Sequence, residues 1–242
     1  MRTILTVLAI SLFFIISFPF CLLLLLLRRF NRRLASRISQ FIVRNAFRFV
    51  MFFAGMHRKV IGVENVPRDR AVLFAANHKS IMDAPLSYIA IPVLTGFVSK
   101  IEISRIPFLN LWMKNVNCIF FDRSDMRAGM KMILTTIDYI RDGYSILISP
   151  EGTRSHTDEP LEFKDGSLKA AQKTGCPIVP VAITGTDDMF ENHMPWVHKQ
   201  KVIIEFGKPI LLSELPPEIQ KKPGEYVRAA VVEMLKKHKE ML

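Results

Sequence analysis

From Thr3 to Leu27 the chain carries no charged residue, and Leu22 to Leu27 is an unbroken leucine run. As a helix rising about 1.5 Å per residue, this segment would reach roughly 37 Å, enough to cross a hydrocarbon core of ~30 Å with some tilt. A basic cluster follows at once: Arg28, Arg29, Arg32, Arg33 and Arg37, against Arg2 alone ahead of the run. That asymmetry predicts a retained membrane anchor with everything after Leu27 on the cytoplasmic side, at a bacterial inner membrane or, in a eukaryote, an organelle membrane. The competing reading is a cleaved secretory leader. The run is long for one, its leading charge is weak, and no small-x-small cleavage site follows. Pro19 is a candidate break that would let the segment enter the bilayer without crossing it.

Leu34 to Met56 differs in kind. Leu34, Ile38, Phe41, Ile42, Phe49 and Phe53 recur at helical spacing, interrupted by Arg37, Arg44 and Arg48. Such a helix can lie in the headgroup region, apolar face down and guanidinium groups on phosphates, or it can pack on the rest of the protein. Residues 1–56 are therefore expected to form a membrane anchor and an interfacial helix, and residues 57–242 a catalytic domain.

In that second part, short apolar runs of strand length alternate with helical patterns. Ala71 to Ala76, Val93 to Ser99, Val116 to Phe121, Ser145 to Ser149, Ile178 to Ile183 and Val202 to Phe206 read as strands. Met130, Ile133, Leu134, Ile137 and Ile140 fall on one helical face before Gly143. Ser167 to Thr174 is a shorter helix closed by Gly175, and Val227, Ala230, Val231 and Met234 form a last stripe. The alternation predicts an α/β fold: a mostly parallel or mixed sheet flanked by helices.

The formal net charge of +11 favours an anionic partner without choosing among nucleic acid, lipid and phosphorylated substrate. No nucleic-acid motif with interleaved aromatics appears, and nucleic acid is not expected as a partner. The three cysteines form no C-x-x-C pair, and the six histidines form no H-x-x-x-H pattern, so neither a disulfide framework nor a metal site is expected.

Two loops can carry chemistry. Asn77-His78-Lys79-Ser80-Ile81-Met82-Asp83 follows the strand ending at Ala76. Asp83 could fold back to hold one nitrogen of His78, leaving the other to accept a proton from a hydroxyl. It could equally cap the helix that starts near Ala84-Pro85. Pro150-Glu151-Gly152-Thr153-Arg154 follows the strand ending at Ser149. A glycine turn exposes backbone N–H groups there, and a guanidinium can fork onto two phosphate oxygens. The plainer reading is a surface turn with Glu151 and Arg154 paired.

Taken together, the loops resemble those of the glycerolipid acyltransferases, the family that includes 1-acylglycerol-3-phosphate acyltransferases. Its N-H-x-x-x-x-D motif is matched by Asn77, His78 and Asp83, and its P-E-G-T-R motif by Pro150 to Arg154. Between them lie Lys100-Ile101-Glu102-Ile103, Pro107-Phe108 and Ile119-Phe120-Phe121-Asp122-Arg123. Phe163-Lys164-Asp165-Gly166 and Val179-Pro180-Val181 follow. The resemblance covers roughly Ala71 to Gly185. Asn110 and Asn117 stand where the family often has glycine, and Ser149 where phenylalanine is common. These departures are expected to lie near the acceptor and acyl-chain sites and to bear on substrate identity.

The resemblance implies direct transfer of an acyl group from acyl-CoA or acyl carrier protein to the hydroxyl of lysophosphatidic acid, with no covalent acyl-enzyme and no cofactor. It implies His78 as base and Asp83 as its orienting partner. Lys100, Arg123, Glu151, Gly152, Thr153 and Arg154 are implied on the acceptor side, with Glu151 ordering its loop more than touching the reacting atoms. Alternatives are acylation of another lysophospholipid or of glycerol 3-phosphate, thioester hydrolysis by water, and a non-catalytic, membrane-tethered binder of anionic lipid.

Overall fold

The computed structural model describes residues 1–122, 125–157 and 159–241. Seven strands, β1 (Met56–Ile61), β2 (Leu73–Ala76), β3 (Thr95–Lys100), β4 (Ile119–Phe121), β5 (Ser145–Ile148), β6 (Ile178–Thr184) and β7 (Gln200–Phe206), form a sheet in the order β1-β7-β6-β2-β5-β3-β4. All neighbours are parallel except β6 and β7, so the sheet is mixed. The helices are α1 (Arg2–Phe30), α2 (Arg32–Ala54), α3 (Asp83–Ala90), α4 (Leu109–Asn115), α5 (Met126–Arg141), α6 (Asp165–Thr174), α7 (Pro217–Lys221) and α8 (Gly224–Lys239).

The period of two along each strand divides the core. Val72, Phe74 and Ala76 face one layer, where α1, α2, α3 and α4 pack. Leu73 and Ala75 face the other, beneath α5, α6 and α8. Strands covered on both faces explain the near-continuous apolar runs of β2, β5 and β6, each of which the sequence reading places within two residues at either end. β1 is missing from that reading for the opposite reason. It is an edge strand whose residues from His57 to Val60 are exposed and carry no alternation. The short helix α4 was likewise not foreseen.

The apolar N-terminus folds in a way that composition did not specify. α1 is long and apolar enough to cross a membrane, and Pro19 lies inside it without ending it. Yet both of its ends touch the domain. Near the start, Thr3 Oγ1 accepts from the Val197 amide at 2.9 Å. Further along, Trp112 Nε1 donates to Ser17 Oγ at 3.1 Å and Asn115 Nδ2 to the Cys21 carbonyl at 3.1 Å. At the end, Arg28 donates to Asn117 Oδ1 at 2.8 Å. The helix is thus hydrogen-bonded to the domain near its start, along its middle and at its end. Asn31 ends α1 and caps α2, its Oδ1 accepting from the Leu34 amide at 2.9 Å, so the second helix returns alongside the first. Buried Gln40 fastens α2 to the sheet by accepting from the Thr95 amide at 3.1 Å and donating to the Val93 carbonyl at 2.8 Å.

The C-terminal helix is clasped by His238, which is fully buried. Its Nδ1 lies 2.8 Å from Thr184 Oγ1 and its Nε2 lies 2.9 Å from Glu205 Oε2. Burial pushes its pKa below the ordinary 6.5, with Glu205 pulling the other way. The folded state then binds fewer protons than the unfolded state in the window below 6.5. The clasp is therefore complete above that pH and loses stability as pH falls through the window. We predict that the midpoint of thermal unfolding in detergent falls on acidification from about pH 7 to about pH 5, and that His238→Gln flattens this part of the profile. A His238→Gln profile as steep as the parent's would remove this histidine as the source.

Candidate active site

β2 and β5 are adjacent and parallel, so the segments that follow them emerge side by side at the carboxyl edge of the sheet, where α/β folds place ligands. His78 arrives from β2 and Pro150 to Arg154 from β5. Asn77 sets the exit from β2. It is 2 % exposed, its Nδ2 donates to the Ile183 carbonyl at 2.9 Å, and its Oδ1 accepts from the Ile183 amide at 2.8 Å. This side chain bridges β2 and β6 where their ladder ends.

Asp83, at the start of α3, turns back onto the loop. One oxygen, Oδ2, lies 2.7 Å from His78 Nδ1 and also accepts from the amides of Lys79 at 2.9 Å and Ser80 at 3.0 Å. The other oxygen accepts from Thr186 Oγ1. A carboxylate can only accept, so His78 Nδ1 carries the proton and Nε2 presents its lone pair. The His78 side chain is 26 % exposed, while that of Asp83 is 8 % exposed. The imidazole is accessible and the carboxylate that holds it is enclosed. Asp83 thus has both roles that its sequence position left open, since it begins the helix and holds the imidazole.

Glu151 joins the two loops. Its Oε1 accepts from the His78 amide at 2.7 Å and its Oε2 from the Leu161 amide at 2.7 Å. Burial pushes this carboxyl upward, and the two amide donors pull it back. With both oxygens occupied and 3 % exposure, Glu151 is a positioning residue. The expected pairing of Glu151 with Arg154 does not form. Arg154 instead donates to Glu191 Oε1 at 2.9 Å, and the same oxygen accepts from the Ile81 amide at 2.6 Å. Guanidinium and imidazole therefore belong to one hydrogen-bonded cluster around the 77–83 loop. Arg154 remains 46 % exposed along its side chain, with donors to spare.

A cleft of about 500 Å³ opens beside the dyad. His78, Asp83 and Gly152 line one side, Phe97, Leu147, Met132 and Ile133 an apolar wall, and Lys164 and Lys169 bring positive charge. Gly152 turns at φ +75°, a conformation that L side chains rarely adopt, and brings backbone within reach of Lys164. Thr153 is exposed on the same turn, and Lys100 is exposed at the end of β3; neither lines the cleft. Arg123 lies outside the described residues.

Three placements were not legible in the sequence. Thr186 and Glu191 meet the His78 loop from more than a hundred positions away. Lys164 sits in a recognised motif, but only the fold brings it to the cleft beside Gly152. Asn117 and Asn110, expected near the substrate, are elsewhere. Asn117 is 1 % exposed at φ +60°, holding Arg28 and Ser36 of the helix pair. Asparagine, like glycine, tolerates that left-handed backbone. Asn110 donates to the Ser104 carbonyl. Of the three departures, Ser149 alone lines the cleft.

Two substitutions separate orientation from support. Asp83→Asn should lower kcat by about 10²–10⁴-fold in whatever hydroxyl chemistry the cleft performs, because the amide no longer fixes the Nδ1–H tautomer. Glu151→Gln should cost about 1–3 kcal/mol of stability in denaturant unfolding, since the new NH₂ faces one of two buried amide donors. Unchanged stability in the second variant would contradict the role given to Glu151.

The sequence model of the acyltransferase family matches residues 57–184, which contain both loops. The chain is 35% identical over 157 residues to a 1-acyl-sn-glycerol-3-phosphate acyltransferase of Borreliella burgdorferi, a match covering 64% of this chain and 62% of that protein. It is 29% identical over 189 residues to a 1-acyl-sn-glycerol-3-phosphate acyltransferase of Cocos nucifera, covering 78% of this chain and 61% of that one. The matches thus span about three fifths of these relatives' lengths. The crystal structure of the 1-acyl-sn-glycerophosphate (LPA) acyltransferase PlsC from Thermotoga maritima superposes with a TM-score of 0.74 at 27% identity, covering 99% of this chain and 98% of that one. With a family match across more than half its length, this chain belongs to the acyltransferase family.

Proposed function

We propose that the chain transfers a fatty acyl group from acyl-CoA or acyl carrier protein to the free hydroxyl of lysophosphatidic acid, giving phosphatidic acid at a membrane surface. The observation that carries this reading is the dyad itself: an imidazole held by a buried carboxylate at 2.7 Å, with its free nitrogen facing a cleft that is apolar on one wall and basic at its rim. The apolar wall suits an acyl chain. Lys164 and Lys169, with Arg154 close by, suit a phosphate monoester. The names of the related proteins point to the same acceptor.

In this mechanism His78 Nε2 removes the proton of the acceptor hydroxyl as its oxygen attacks the thioester carbonyl carbon. Asp83 stabilises the imidazolium that forms. The tetrahedral intermediate collapses with cleavage of the carbon–sulfur bond, and the imidazolium returns its proton to the departing thiolate. The ester and the free thiol are the products, and no acyl-enzyme forms. Holding the acceptor by its phosphate turns a bimolecular encounter into an oriented one, a gain worth several kcal/mol of barrier in well-positioned systems.

The helix pair supplies the membrane contact. Ile15 is 74% exposed on α1, and Phe41 and Phe52 are 68% and 77% exposed on α2. Since α1 is fastened to the domain at both ends, the pair lies in one leaflet with the cleft beside it, so a lysolipid can present its headgroup to His78 while its chain stays in lipid.

The test is to incubate protein in vesicles with labelled acyl-CoA and a panel of lysolipids and glycerol 3-phosphate, then identify the product. Phosphatidic acid should dominate. His78→Ala should lower turnover by about 10²–10⁴-fold with vesicle binding intact. Arg154→Ala should chiefly raise KM for the phosphorylated acceptor, by about tenfold. Near-normal transfer by purified His78→Ala protein would defeat the proposal.

A further inference from the structure

A second cavity, of about 410 Å³, lies at the opposite end of the strands from the cleft. Its floor is formed where β2, β3 and β5 begin, at Ala71, Leu94 and Ser145. Along β2, Ala71 precedes His78 by seven residues, a separation of roughly 23 Å in extended chain at about 3.3 Å per residue. No residue of the dyad or of the Pro150 to Arg154 loop lines it.

Its walls are unusually basic. Arg33, Arg37 and Arg44 come from one stripe of α2, and Arg68 and Arg70 come from the segment leading into β2. Asp69 is the one carboxylate among the lining residues, and it is already bound to Arg70 at 2.9 Å. Arg44 is spent on the carbonyl of Tyr88 at 3.1 Å and on that of Ile91. Among the described residues, Arg33, Arg37 and Arg68 have no carboxylate partner, although all three are exposed at the rim of the same cavity. Like charges gathered around one concavity repel each other unless an anion sits between them. The volume falls within the roughly 300–1,000 Å³ of small-ligand sites.

The setting says where the anion comes from. Phe41 lines the cavity and is 68% exposed, and it also belongs to the apolar stripe that continues through Leu34 and Ile38. Basic and apolar stripes of one helix thus meet at the cavity mouth. That junction matches a lipid, with acyl chains against the apolar stripe and a phosphate drawn in among guanidinium groups that can fork onto its oxygens. A free phosphate would use the arginines but gain nothing from Phe41. We infer that this cavity is a second lipid site, taking the phosphate headgroup of an anionic phospholipid and fixing how the helix pair sits in the leaflet. The inference is independent of the transferase reading, because it involves no residue of the cleft and is tested without turnover.

The experiment measures partition of the full chain onto phosphatidylcholine vesicles with and without a fraction of phosphatidic acid. Arg37→Gln/Arg68→Gln removes two unpaired guanidinium groups from the cavity. Arg29→Gln/Arg48→Gln removes the same charge from the helix pair outside it. The cavity variant should lose about 10- to 30-fold in affinity for the anionic vesicles, about 1 kcal/mol per arginine, and nothing on neutral ones. The control variant should lose less than about threefold, because a diffuse surface charge is screened. Both variants should keep the parental circular dichroism, since the cavity arginines replaced support no other residue. Equal losses in the two variants would mean a diffuse charge effect and overturn the assignment. A third arm adds inorganic phosphate alone. If it raises the unfolding temperature of the parent but not of the cavity variant, while vesicle binding is the same for both, the site takes soluble phosphate and the lipid assignment fails.

Discussion

Two backbone amides converge on the Glu151 carboxylate, one from His78 and one from Leu161, and the shape of the cleft depends on that convergence. β2 and β5 bring their following loops to the same edge of the sheet, but adjacency alone would leave each free to choose its own conformation. A buried acceptor shared between them fixes both. The His78 amide would otherwise be an unpaired donor in a nearly closed environment, a cost of about 1–3 kcal/mol. With that amide held, the imidazole can point only toward Asp83 on one side and the cleft on the other. The Ser155 amide donates to the His78 carbonyl at 2.8 Å, so both backbone groups of His78 are tied to the second loop.

The same logic governs the N-terminal helices. Their apolar surface exceeds what the domain can cover, yet the contacts that position them are polar: Thr3, Ser17, Gln40, and the Arg28–Asn117–Ser36 group. Burial of apolar area is non-directional and would accept many orientations of α1. Hydrogen bonds to buried partners accept few. The helix pair is therefore a fixed part of the domain, and its remaining apolar surface, including Ile15, Phe41 and Phe52, is exposed.

The excess of positive charge has a spatial order that the total of +11 conceals. Lys164 and Lys169 line the cleft, while the arginines of α2 and of the segment before β2 surround the cavity at the other end of the strands. Here two separate basic concavities each adjoin apolar side chains.

The alternation of buried strands and helices, hence the α/β class, was legible in the residues alone, because strands covered on both faces must be apolar throughout. So was the placement of His78, Asp83 and the Pro-Glu-Gly-Thr-Arg loop at strand ends, because the motifs directly follow the apolar runs. Exposed β1 left no such trace, and neither did Thr186 and Glu191, whose partners are distant in sequence. The packing of the chain was needed to show that Glu151 supports His78 instead of pairing with Arg154, that Asn117 serves the helix pair instead of the cleft, and that an apolar helix long enough to cross a bilayer is hydrogen-bonded to the domain. Each of these is a choice of partner among chemically equivalent options. Local pattern reports what a residue can bond to, but only the path of the chain decides which of those groups arrives.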